Sequence, residues 1–295
     1  MTIFKTLLLR EWLQYKWVWC GLVGACLLLM GLAVSVSTMN EVDLPTPEPI
    51  MLIVAGVTLG VVMTVVILAA AWQLMLVPRR DQQDRSIEYW ASLPGSHASS
   101  LLAPIVAHGV LMPIGALVAA IVIGAPLGVW MAVRELGAEA LQQMQWSPLI
   151  LAWAWMSMRL LLGMVLAALW LAPIMLFLMA AAAWLRIWGA ALVVVVLQIF
   201  TRLYDITLFK SVMAAQLDGV RIAFAASSQG TTIHASDDQP FAMEQFYEVL
   251  FKIPQWAPAD MVHALQHAAG VQFIGGLIFA GLCFWLLVLQ RKRSL

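Results

Sequence analysis

Residues 50–77 read IMLIVAGVTLGVVMTVVILAAAWQLMLV, and Pro78-Arg79-Arg80 follows. These 28 residues hold no charge. At 1.5 Å per residue, about 20 apolar helical residues cross the roughly 30 Å hydrocarbon core of a bilayer. A helix at the surface of a soluble protein needs a polar face, and this run has none. The stretch reads as a membrane-crossing helix that stops at the arginine pair.

Five further segments read the same way. They are Trp17 to Thr38, Leu101 to Val133, one within Pro148 to Trp184, about Trp188 to Tyr204, and about Gly270 to Leu289. The 295 residues are 63% hydrophobic and 11% charged, against roughly 25% charged in a soluble domain. The mean hydropathy is +0.90. So few charges cannot cover a water-soluble globule, which excludes soluble enzymes, disordered chains and nucleic-acid binders. The predicted fold class is all-α integral membrane with six spans. The first span is longer than the roughly 7–15 apolar residues of a signal peptide and has no small-residue cleavage site, so it reads as a retained anchor. Cys20, Cys26 and Cys283 all lie in apolar runs, and no loop disulfide is expected.

Charge placement orients the chain. With the N-terminus in the cytoplasm, the inner segments hold ten basic residues (Lys5, Arg10, Lys16, Arg79, Arg80, Arg85, Arg186, Arg291, Lys292, Arg293) and four acidic ones. The outer segments hold six basic and twelve acidic residues. Lys/Arg enrichment marks the cytoplasmic side, so both termini are placed inside. Tryptophans mark the two interfaces: Trp17, Trp19, Trp72, Trp184 and Trp188 at inner ends, Trp130, Trp146 and Trp256 at outer ends. Pro113, Pro126 and Pro173 each remove a helix hydrogen bond, and bends are expected there.

Residues 1–16 read as an amphipathic interfacial helix leading into 17–77, the first two spans. The inner loop 78–100 carries a short helix, with Asp84 as N-cap and Pro94-Gly95 as terminator. Ile87, Trp90 and Ala91 share one face of it, which needs either a membrane surface or a partner to cover it. Spans three to five fill 101–204. Residues 205–269 are too polar to span and read as a small extracytoplasmic helical cap. There Asp218 to Asp238 is expected to be irregular, with helices over Phe241 to Ile253 and Met261 to Ala269. Residues 270–289 form the sixth span and 290–295 a basic cytoplasmic tail. Within the 37 residues from Pro148 to Trp184, Arg159 is expected near the outer interface, snorkelling to water, because a charge at mid-bilayer costs at least about 2.5–3.5 kcal/mol.

The search for chemistry is largely negative. No lysine follows a glycine, so there is no phosphate-binding GxxxxGK[ST] loop; HExxH and GxSxG are also absent. The spans lack the acidic residues of a proton relay, and no catalytic residue is identified. One weak metal candidate stands out: Asp260, His263 and His267, at i, i+3 and i+7, bring two imidazoles to one helix face. An exposed polar face explains the same pattern. The 17 methionines lie mostly in apolar runs, as flexible space-fillers.

The segment Asp84-Arg85-Ser86-Ile87-Glu88-Tyr89-Trp90-Ala91-Ser92-Leu93-Pro94 is similar to the DRS-I-x-x-W-x-SLP loop in the permease subunit of bacterial type-2 ABC transporters. Leu169-Trp170-Leu171-Ala172-Pro173 through Ala183-Trp184-Leu185-Arg186 resembles the LW-x-x-P…AW-x-R fourth span of that family. The resemblance in layout covers nearly the whole chain; the 205–269 segment has no residue-by-residue counterpart. It implies an ABC exporter permease in the bacterial cytoplasmic (inner) membrane, moving an amphipathic or hydrophobic substrate. It further implies that Asp84, Arg85, Ser86, Ile87, Glu88, Tyr89, Trp90, Leu93 and Pro94 form the coupling helix. Ile87, Trp90 and Leu93 would enter a groove of a separate ATPase, with Arg85 and Glu88 at its rim. ATP and Mg would sit on two copies of that ATPase, with no cofactor on this chain. Twelve spans make the full transporter, so a second permease copy, identical or related, is implied. Two other readings are an intramembrane metal-dependent enzyme using Asp260, His263 and His267, and a non-transporting sensor or assembly subunit.

Overall fold

The computed structural model describes residues 3–37, 46–83, 96–185, 207–224 and 243–293 and the single positions 195, 196 and 199, with side chains described outside 79–83, 207–209 and 243–249. Every regular element among the described residues is helical. Helix α1 (Ile3–Val36) is followed by α2 (Pro47–Gln83). Helix α3 (His97–Val106) passes through a π-helical turn (Ala107–Leu111) into α4 (Met112–Leu136). A single turn, α5 (Ala140–Gln143), leads to α6 (Trp146–Leu185). Then come α7 (Thr207–Phe224), α8 (Met243–Ala268) and α9 (Val271–Arg293).

Five of these stretches are long and apolar enough to cross a membrane: α1, α2, the continuous α3–α4 run, α6 and α9. Their outer faces carry what a lipid-facing surface carries. Leu28 is 71% exposed, Ile278 63% and Trp285 57%. Exposure on that scale is costly in water and favourable in hydrocarbon. The predicted fifth span, Trp188 to Tyr204, lies outside the described residues except at its three isolated positions.

Helix α6 is the central element, packed by α2 on one side and by α7, α8 and α9 on others. Helices α2 and α4 form the tightest pair. There Gly128 lies against the Met51 backbone and Gly124 against the Ala55 carbonyl, so the two helices meet backbone to backbone. One apolar cluster (Leu74, Val77, Leu101, Met179, Ala180, Leu287) fills the basic end of the bundle, where α2 and α9 finish and α3 begins. Another (Val34, Met51, Met131, Leu149, Leu250, Ile253) fills the far end.

Several expectations change in detail. Residues 3–16 and the first span form one unbroken helix, about 51 Å long. The 37-residue run from Pro148 lies in a single 40-residue helix that continues through Pro173. Residues Asp218 to Phe224 are helical, as the end of α7. The two helices expected between Phe241 and Ala269 are one, α8, which tolerates Pro254 and Pro258. Pro113 is answered by a widened turn: the Met112 amide donates five residues back to the Ala107 carbonyl. Pro113 has no amide to offer, and the π turn sits where the α-helical ladder is already interrupted.

Candidate functional site

Arg159 is the only charge within the apolar body of α6, and it does not snorkel. It is 2% exposed, and its Nε donates to Asp260 Oδ2 on α8 at 2.6 Å. Its Nη2 donates to the Ile222 carbonyl at 2.9 Å, and its Nη1 to the Ala223 carbonyl. Those carbonyls belong to the last turn of α7, whose C-terminal oxygens have no helical donor. One guanidinium therefore neutralises a carboxylate and caps a helix C-terminus, where the macrodipole favours a cation. Gly163, one turn on, keeps the α7 backbone close: a methyl there would overlap the Ala223 carbonyl.

The same seam continues to Trp170. Its ring stacks on His267 at 5.4 Å and meets Phe273 edge-on at 4.9 Å. Gly219 of α7 leaves room for that ring. The segment expected to stand as an outer cap thus runs alongside α6 from Arg159 to Trp170, about 16 Å of helix.

These contacts account for the proposed metal ligands. Asp260 is held by Arg159, His263 is exposed and His267 stacks on Trp170. They do not converge, and among the described residues no three His, Cys, Asp or Glu side chains form a metal-binding group. A carboxylate neutralised by a buried guanidinium is a poor partner for a cation. The coupling residues Asp84, Arg85, Ser86, Ile87, Glu88, Tyr89, Trp90, Leu93 and Pro94 lie outside the described residues.

A second buried polar contact was not foreseen from the sequence. Glu11 of α1 is 3% exposed, and His108 in the π turn has no exposure at all. Trp19 Nε1 donates to His108 Nδ1 at 3.3 Å. Nδ1 is the acceptor of that contact. Nε2 lies 3.4 Å from Glu11 Oε2, within ion-pair range but without hydrogen-bond alignment. Tyr15 packs edge-on against the same imidazole at 4.9 Å. The spacing Glu11, Tyr15, Trp19 puts all three on one face of α1, a signal hidden by reading residues 1–16 as a separate surface helix. Trp19→Phe removes the donor and leaves Nδ1 buried and unpaired. We expect it to cost about 1–3 kcal/mol, measured by chemical unfolding in detergent micelles, with Trp17→Phe as the exposed control.

An apolar cleft of about 500 Å3 opens at the far end between α2, α4 and α6, lined by Met51, Pro126, Trp130, Trp146, Ile150 and Trp153, among others. Its walls suit a hydrocarbon or aromatic group and supply almost no polar recognition. No protein-family model, curated protein or solved structure matches this chain.

Proposed function

We propose that the chain is the membrane-spanning permease subunit of an ATP-driven exporter, coupled to a separate ATPase. The observation that carries this reading is the segment Asp84 to Pro94, similar to the type-2 ABC permease loop, lying between α2 and α3. Helix α2 and the continuous α3–α4 run are each long and apolar enough to cross a membrane. A loop between two such helices that carries Ile87, Trp90 and Leu93 among charges has the composition of a docking helix. A sequence without a P-loop is consistent with ATP and Mg binding on a partner chain. The apolar cleft supports a hydrophobic or amphipathic substrate. The excess of Lys and Arg in the segments assigned to the inside supports N-in, C-in topology with six spans. Under this reading the protein resides in a bacterial cytoplasmic membrane and works with two ATPase copies and a second permease copy.

Co-expression with the cognate ATPase tests the reading: the two chains co-purify in detergent. Trp90→Ala is expected to cut substrate-stimulated ATP turnover at least tenfold, since a buried tryptophan anchor is worth 2 kcal/mol or more at an interface. Membrane insertion stays intact in that variant. ATP turnover that is unchanged in Trp90→Ala removes the coupling role from this loop.

A further inference from the structure

Glu11 is the only acidic residue among the first 40. It faces inward, onto His108. On the other sides of the same turns Lys5 is exposed, as are Leu9, Trp12, Leu13 and Trp17. Lys16 is half-buried, with its Nζ 5.4 Å from the centre of the Trp17 ring. Lys5, Leu9, Trp12 and Lys16 stand at i, i+4, i+7 and i+11, one narrow stripe of the helix. The inward turn of Glu11 thus leaves an outward face of cations and large apolar groups to which α1 itself contributes no carboxylate.

Depth places this stripe. Helix α1 exceeds the roughly 30 Å hydrocarbon core by about 20 Å. Counted back from Val36, twenty residues of helix reach Lys16, so Lys16 and Trp12 fall at the headgroup layer and Lys5, about 16 Å beyond Lys16, stands on its water side. Amphipathic aromatic rings settle at that layer, and lysines extend their ammonium groups into it.

We propose that this face of α1 is a binding surface for anionic phospholipid. Lys16 pairs with headgroup phosphates, Trp12 and Trp17 lie in the interfacial layer, and Lys5, on the water side, adds its charge to the attraction within a Debye length. A phosphocholine headgroup brings its own cation beside the phosphate and leaves the lysines little to gain. A phosphatidylglycerol headgroup has no such cation. The inference rests on α1 crossing the membrane and is independent of any ATPase partner.

The test uses the full chain in phosphatidylcholine vesicles containing either brominated phosphatidylcholine or brominated phosphatidylglycerol. Bromine quenches nearby indoles, and the contribution of Trp12 and Trp17 is the difference between the unmodified chain and W12F/W17F. Brominated phosphatidylglycerol is expected to quench that contribution at lower lipid content, by roughly fivefold for each lysine engaged. The preference disappears in K5Q/K16Q, and in the unmodified chain it falls as salt is raised. Equal quenching by both lipids overturns the proposal. So does a preference that survives K5Q/K16Q, or one indifferent to salt, a measurement that needs no variant to fold. Quenching by neither lipid also overturns it, because the face is then covered by protein.

Discussion

Asp260→Ala is expected to destabilise the folded bundle by about 3–5 kcal/mol, the cost of leaving one member of a buried ion pair without its partner. Arg159 and Asp260 are both almost fully buried, with side chains 3% and 2% exposed, so neither charge is relieved by solvent. The loss reaches beyond the pair. Arg159 is oriented by the carboxylate while it caps Ile222 and Ala223 at the end of α7. A guanidinium that shifts after losing Asp260 also releases those carbonyls, which have no other helical donor. Arg159→Lys keeps the charge and loses the fork, since an ammonium cannot reach two carbonyls and a carboxylate in one plane. Its destabilisation is expected to fall below that of Asp260→Ala and well above that of a surface change. The double substitution Arg159→Met with Asp260→Leu recovers the part of the loss that comes from an unpaired buried charge, but not the part that comes from the uncapped Ile222 and Ala223 carbonyls. Chemical unfolding in detergent micelles, followed by far-UV circular dichroism, measures all three. If Asp260→Ala unfolds at the same denaturant concentration as the unmodified chain, the pair does not hold α8 to α6.

That pair also marks where sequence reasoning stopped. The long apolar stretches of α1, α2, α3–α4, α6 and α9 were legible because a bilayer demands about 20 apolar residues in succession. Such a signal is local and needs no partner. The fate of Arg159 was not legible, because its partners are 101 and 63–64 residues away and two of them are backbone carbonyls with no sequence signature. His108 was hidden for a similar reason. One histidine in an apolar run carries no hint that Glu11, 97 positions earlier, turns toward it. The Asp260, His263, His267 spacing did suggest one helix face, and α8 is indeed helical there. Periodicity gave no information on what covers that face; Arg159 takes the aspartate and Trp170 the second histidine. The joining of residues 3–16 to the first span follows from the same limit. Polar residues at Glu11 and Lys16 suggested an end to the membrane helix, but no proline or glycine interrupts the chain between them.

Gly128→Leu is expected to prevent the α2–α4 pair from forming, so that the chain elutes as aggregate in size-exclusion chromatography. Lipid tails are as apolar as the side chains between helices, so the hydrophobic effect gives little drive for helix association inside a bilayer. What remains is close contact, and small residues permit it. At Gly128 the contact is with backbone: a methyl would overlap the Met51 carbonyl, which has no rotamer to move away. Even Gly128→Ala must push the helices apart, at a cost of roughly 1–3 kcal/mol for overpacking. Gly124 is less tight. Its added methyl would sit 3.3 Å from the Ala55 carbonyl, so a shift of a few tenths of an ångström accommodates Gly124→Ala and a smaller loss follows. Gly56 and Gly60 lie on the outward face of the same α2, with nothing within 4 Å, and alanine at either is expected within about 0.5 kcal/mol of the unmodified chain. The order Gly128→Ala, Gly124→Ala, then Gly56→Ala or Gly60→Ala separates a packing seam from a general intolerance of helix substitutions. Equal losses at all four positions would mean that backbone conformation, not the Met51 contact, is what these glycines protect. A graded series means that the width of one glycine sets the distance between α2 and α4, and with it the position of α6 across the cleft that Met51 and Trp130 line.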